Sequence, residues 1–136
     1  MRINAGLFRG KSTTTGKWLY GSLLKVTIKG CPIWIIFEDD FDITGDIVKA
    51  KSHACVDPDT VGECIDIPDK TGKLIFEGDI IQANNGHRTT VVFHHGGFHS
   101  YWNCGFGEYY GDISSEFKQV IGNIHDNPEL FKGGEG

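Results

Sequence analysis

Leu24-Lys25-Val26-Thr27-Ile28-Lys29 alternates apolar and polar residues. A strand repeats every second residue, so Leu24, Val26 and Ile28 fall on one sheet face and Lys25, Thr27 and Lys29 on the other. Gly30-Cys31-Pro32 breaks the run. Ile33-Trp34-Ile35-Ile36-Phe37 follows, apolar throughout and rich in β-branched side chains. That composition predicts a strand covered on both faces. The two runs together predict a hairpin over residues 18–37.

Residues 41–60 carry only a weak period at Ile43, Ile47 and Val48. Asp57-Pro58-Asp59 marks a turn, and either aspartate suits the cap of a short helical turn. From Lys73 the pattern sharpens. Leu74-Ile75-Phe76, the corner Glu77-Gly78-Asp79 and Ile80-Ile81-Gln82-Ala83 read as strand, tight turn and strand. Asn84-Asn85-Gly86 predicts a hairpin turn with positive φ at Asn85 and Gly86. Arg88–His95 is a further strand, turned by Gly96-Gly97 into Phe98–Trp102. Phe117–Ile124 is the last strand, and Asn127-Pro128-Glu129-Leu130 a terminal helical turn. Five short strands bounded by Gly or Asn predict a small barrel within residues 72–126. Gly133-Gly134-Glu135-Gly136 reads as a disordered tail.

Hydrophobic residues make up 39% of the 136, and aromatics 12%, so a small core is within reach. Nineteen glycines without a fixed period exclude collagen and favour turn-rich β structure. No apolar run approaches the roughly 20 residues that span a bilayer, and the N-terminus lacks the apolar stretch of a secretory signal. A reducing cytoplasm is the expected setting, with no membrane partner. Cys31, Cys55, Cys64 and Cys104 contain no C-x-x-C pair and are expected as buried thiols.

The net charge of −5 conceals a split. Residues 1–29 hold Arg2, Arg9, Lys11, Lys17, Lys25 and Lys29 without an acid, a charge of +6. Subtracting that from the total leaves −11 on the remainder. Arg9, Lys11 and Lys17 lie beside Trp18 and Tyr20, making these five residues the candidate binding surface. Residues 72–131 carry −4, which disfavours nucleic acid there.

Several segments resemble the YopX proteins of phages and prophages. They are Phe8-Arg9-Gly10, Trp18-Leu19-Tyr20-Gly21-Ser22-Leu23, Asp57–Gly62, Asp69–Ile81 and Val120–Leu130, in that order along nearly the whole chain. The resemblance implies a phage or prophage source, a bacterial host cytoplasm and an SH3-like fold for the C-terminal barrel. It implies no activity. The expected architecture is mostly β: an N-terminal β-rich region, 1–71, packed on an SH3-like barrel, 72–131, with the tail 132–136. Gly62-Glu63-Cys64-Ile65-Asp66 departs from the family, which more often has an aromatic where Cys64 stands and Gly where Asp66 stands. If that position requires positive φ, Asp serves at a modest penalty. Gly62, Gly72, Gly78, Asp79, Gly122 and Asn123 all read as turn and corner residues rather than chemistry.

His94, His95, His99 and Cys104, with His87 upstream and Asp112 downstream, combine imidazole and thiolate as zinc sites do. Their spacing matches no zinc module, and a strand through 91–95 would point His94 and His95 to opposite faces. No metal or other cofactor is expected, with His94, His99 and Cys104 the weak candidates. Glu38-Asp39-Asp40 could hold a cation but reads as a solvated turn. No G-x-S-x-G elbow or phosphate loop is present, and Glu108 and Asp112 lack a context for acid–base work. These patterns favour a non-enzymatic accessory protein that binds an unidentified phage or host protein and also itself. The competing reading is a nucleic-acid binder using the basic N-terminal segment.

Overall fold

The computed structural model describes residues 6–38, 41–50, 52–103, 105–113 and 118–131. The acids Asp39 and Asp40, the thiol Cys104 and the tail 132–136 lie outside the described residues. The chain is mostly β and forms two compact units, Met1–Cys64 and Ile65–Gly136.

In the first unit, β1 (Phe8–Lys11), β2 (Trp18–Ile28), β3 (Cys31–Glu38) and β6 (His53–Cys55) form an antiparallel sheet in the order β6-β3-β2-β1. Next to β1, the start of β7 (Gly62–Pro68) pairs Gly62 with Arg9 and Glu63 with Phe8. β4 (Phe41–Thr44) and β5 (Ile47–Ala50) pair only with each other among the described residues. The expected hairpin over 18–37 is there as β2 and β3, in register from Gly21↔Glu38 to Ile28↔Cys31. Its turn is Lys29-Gly30, with φ of 50° and 80°. Two positive φ values make a type I′ turn, whose twist matches that of the flanking strands. Cys31 and Pro32 therefore already belong to β3.

Asp57 caps the 3-10 turn Pro58–Thr60, its carboxylate accepting the Asp59 N–H at 3.0 Å. The inner side of this sheet holds Ile36 and Val56, at 0% and 2% exposure. Gly10 makes room for them, since a Cβ there would lie 3.1 Å from Val56 Cβ and 3.2 Å from Ile36 Cδ1. Of the thiols, Cys64 is buried as expected, whereas Cys31 and Cys55 are exposed.

In the second unit, β9 (Asp79–Ala83), β10 (Arg88–His94), β11 (Gly97–Asn103), β12 (Glu108–Gly111) and β13 (Lys118–Asn123) form a sheet in the order β12-β11-β10-β9-β13. Five strands were expected, but they are not the same five. β8 (Leu74–Phe76) lies beside β7, and the aromatic Glu108–Gly111 run takes its place. Glycines at 105, 107 and 111 hide that strand in the sequence. The core is Ile65, Ile75, Ile81, Val91 and Val120, flanked by Ile67, Phe98 and Ile113.

Two turns also differ in detail. The β10–β11 turn is His95-Gly96, φ 49° and 80°, one residue earlier than Gly96-Gly97. At Asn84-Asn85-Gly86 only Gly86 has positive φ. That is a three-residue loop closed by glycine, not a two-residue one.

Candidate functional site

Paired residues in an antiparallel ladder share a face. Arg9↔Tyr20 and Lys11↔Trp18 therefore put four of the five candidate residues together at one end of the first unit's sheet. The Trp18 ring carries both cations, with Arg9 Cζ 4.8 Å and Lys11 Nζ 5.4 Å from its centroid. Arg9 is buried at 5% exposure. Lys17 precedes β2 and is exposed, its backbone N–H donating to Thr15 Oγ1. Two cations of the basic segment thus rest on an aromatic ring of the same segment.

The same register continues this face outward past the exposed Ser22 through Leu24, Val26 and Ile28 of β2 and Ile33, Ile35 and Phe37 of β3. Their alternation predicts a core. The structure instead leaves Tyr20, Leu24 and Ile28 at 46%, 43% and 52% exposure. The strand expected to be covered on both faces, Ile33–Phe37, buries Ile36 alone. Alternation specifies which residues share a side, not whether anything covers it. Here the inner side belongs to Ile36, Val56 and the glycines, and the apolar stripe faces out. On the inner side of the ribbon, Lys25 Nζ lies 4.2 Å from the centroid of the Trp34 ring. This stripe is the feature that candidate-residue reasoning missed.

The histidines come together in part. His94 and His99 occupy one face across the Val92↔His99 pair, their ring centroids 6.4 Å apart. His95 sits in the turn rather than on the strand, so its ring comes within 3.9 Å of His94 instead of pointing away. Among the described residues no three His, Cys, Asp or Glu side chains are grouped to hold a metal. His94 lies flat on Tyr110, centroids 3.8 Å apart and planes 3° apart. Desolvation holds the His94 imidazole below its ordinary value, helped by His95 and His99 and opposed by Glu108. His87 sits edge-on to Trp102. The backbone oxygen of Asp112 accepts from Ser100 Oγ and Lys118 Nζ. What the cluster does in this structure is stack aromatic rings across β10, β11 and β12.

The motif residues occupy corners. Gly72 and Gly78 have φ of 92° and 91°. The Gly78 N–H donates to Val91 O, and its own oxygen accepts from Ile124 N–H. Asp79 is buried and its Oδ2 accepts the Phe76 N–H at 2.8 Å. Asn123 Oδ1 accepts the His125 and Asp126 N–H groups. Gly122 faces Asn127, whose Oδ1 would lie 2.6 Å from an added Cβ. Gly62 is buried beside Arg9. Asp66, standing where the family more often has Gly, has φ of 66°, so the position does require positive φ. Asp69 and Gly21, quoted only as parts of longer motifs, prove as constrained as any of these.

A family model described as "YopX protein" matches residues 7–132. No curated protein matches the chain. Among solved structures, the crystal structure of protein EF1440 from Enterococcus faecalis is similar, with a TM-score of 0.63 at 22% identity. The match covers 93% of this chain and 97% of that one. At that identity the likeness is one of fold.

Proposed function

Because the chain belongs to the YopX family, we propose that it is a non-enzymatic accessory protein of a phage or prophage that works by docking to another protein. The observation that carries this reading is the outward apolar stripe of β2 and β3. Isolated apolar residues on a surface are ordinary, but a continuous stripe of them marks an interaction site. Trp18 and Tyr20 at its base are residue types enriched at interface centres. A two-stranded ribbon is only marginally stable in water by itself, so the outer part of the β2–β3 hairpin gains from being covered.

Charge supports protein over nucleic acid. Arg9 and Lys11 rest on Trp18, and Lys25 on Trp34. In the second unit, Arg88 donates to Gln82 and to Leu130 O, and Lys70 to Asn84. Affinity capture from host lysate, with and without nuclease, tests the reading against Leu24→Asp/Ile28→Asp bait. A protein retained after nuclease and lost with the variant supports docking through this face. Material lost to nuclease alone makes the nucleic-acid reading the better one.

A further inference from the structure

We propose that His94, His95 and His99 form an acid-sensitive latch on the edge strand β12: neutral, they seat Tyr110 of that strand; charged, they repel one another and loosen it. The three rings cluster at the β10–β11 turn, with His95 3.9 Å and His99 6.4 Å from His94 between centroids. His95 reaches the cluster through its positive φ, a conformation that histidine adopts more readily than most residues. His94 lies flat on Tyr110, so its ring reaches past β11 to the strand beyond.

β12 is a strand that such a contact can govern. It is four residues long, pairs with β11 alone among the described strands, and exposes Glu108, Tyr109 and Tyr110. The core of Ile65, Ile75, Ile81, Val91 and Val120 includes none of its residues. Tyr109 on Trp102 and Tyr110 against Tyr101 tie it to β11, whereas His94 ties it to β10. Loosening β12 therefore leaves the core intact, as a local opening.

The surrounding charges decide the sign. Tyr110 by itself would favour a cationic ring, since an aromatic face attracts positive charge. Around His94 stand His95 from the turn, His99 and Tyr101 from β11, and Tyr110 and Glu108 from β12. Among the described residues, three imidazoles there share one carboxylate, and its Oε1 accepts from the Tyr101 hydroxyl. Desolvation and the nearness of His95 and His99 hold the His94 imidazole below its ordinary value, against the pull of Glu108. A ring so held takes its proton more readily once the strand lets go. The latch is thus fully set above the ordinary histidine value of about 6.5, and is lost as pH falls through the lower value of the seated ring.

Two NMR measurements on the full chain test this from about pH 8 to about pH 5, the range in which histidine changes charge. Imidazole C–H signals give each midpoint. Amide exchange gives protection factors, from which the intrinsic pH dependence of exchange is removed. His94 should titrate below about 6.5, and its protonation should move the ring signals of Tyr110. Protection of the paired β12 amides should fall about threefold or more at low salt, the weight of two unit charges 6.4 Å apart in a medium as polar as water. Ile81 and Val91 in the core should keep theirs. His95→Asn/His99→Gln keeps a residue that tolerates the turn and removes two of the charges. It should raise the His94 midpoint and abolish the loss of protection in acid. Glu108→Gln removes the opposing carboxylate and should lower that midpoint further.

A His94 midpoint at the ordinary value overturns the latch. So does β12 protection that acid leaves unchanged, or that falls in step with the core, since the latter is general unfolding. A double variant that keeps the full acid response assigns it to other groups and overturns the latch as well.

Discussion

The carboxylate of Asp69 accepts the backbone N–H of Val120 at 2.9 Å, tying a turn to a strand 51 positions along the chain. Its other oxygen takes the Thr71 N–H, the Thr71 hydroxyl and the Lys73 N–H at 2.7–3.0 Å. Burial pushes this carboxyl up, but the hydrogen bonds from Thr71, Val120 and Lys73 outweigh it and hold it below its ordinary value. A depressed value means that the charged form stabilises the fold. That contribution is present above the unfolded value of about 3.9 and is lost as pH falls through the lower folded value. Asp69→Asn keeps one acceptor but turns an amide towards the Val120 N–H. The buried donor is orphaned, at a cost of about 1–3 kcal/mol. Urea unfolding across pH checks this: the gap between wild type and variant should be full near pH 7 and narrow below about pH 4. A constant gap would contradict the assignment.

Asp79 does related work at the Gly78 corner. Its Oδ2 accepts the Phe76 N–H and its carbonyl the Thr90 hydroxyl. Asp79→Ala removes the first bond from a buried site and should cost about 1–3 kcal/mol, read as a lower melting temperature. An unchanged melting temperature would reopen a functional role for Asp79.

Much of this was legible. The β2–β3 hairpin, the β8–corner–β9 unit and the Asp57 cap follow from alternation, Gly-Asp punctuation and Asp-Pro chemistry. What escaped did so for physical reasons. β12 is four residues among glycines, and β6 only three, too short to show a period. The outward apolar stripe escaped because Leu24, Val26 and Ile28 alternate identically whether covered or bare. The basic segment looked like a surface for phosphate because the cation–π contacts of Arg9 and Lys11 with Trp18 join residues nine and seven positions apart, with no local signature. The Asp66 backbone was the opposite case, foreseen from one substitution.

Gly21 is a stricter glycine than any of the turn glycines. A Cβ there would fall 1.9 Å from the Phe37 carbonyl oxygen and within 2.9 Å of Glu38 Cα. Both are backbone atoms of the neighbouring strand and cannot turn aside. Gly21→Ala should force β2 and β3 apart and cost about 3 kcal/mol or more, at the upper end of overpacking penalties. Gly86→Ala, with open space around it but φ of 90°, should cost about 1 kcal/mol, from backbone strain alone. Chemical denaturation of the pair measures the difference. Equal costs would show that the close approach at Gly21 is relieved in solution.

Thr89 offers a gain. Its hydroxyl is enclosed at 2% residue exposure and has no hydrogen-bond partner among the described residues. Thr89→Val keeps the shape and removes the unpaired oxygen, so the protein should become more stable by about 1 kcal/mol. A loss of stability would mean that the hydroxyl is satisfied by a bound water.

Duplex DNA should bind weakly at physiological salt. Affinity for phosphate scales with the number of cations free to replace counterions, at a salt slope of about −0.9 per contact. The first unit has six cations in residues 1–29. Arg9 is buried against Trp18, Lys11 shares that ring, and Lys25 lies on Trp34. Lys17, Lys25 and Lys29 are exposed, Lys25 beside its ring. In the second unit Lys118 is held below its ordinary value by desolvation, which Asp112 opposes, and its Nζ donates to Asp112 O. Two or three phosphate contacts give a slope of roughly −2 to −3, and affinity no better than the non-specific range of about 10⁻⁴–10⁻⁶ M. A gel-shift series with duplex and single strands over increasing salt measures both quantities. Sub-micromolar affinity with a steep slope, lost on Lys11→Ala/Lys17→Ala, would overturn this expectation. It would also mean that Trp18 releases its cations to stack on a base, which the 4.8 Å Arg9 contact opposes.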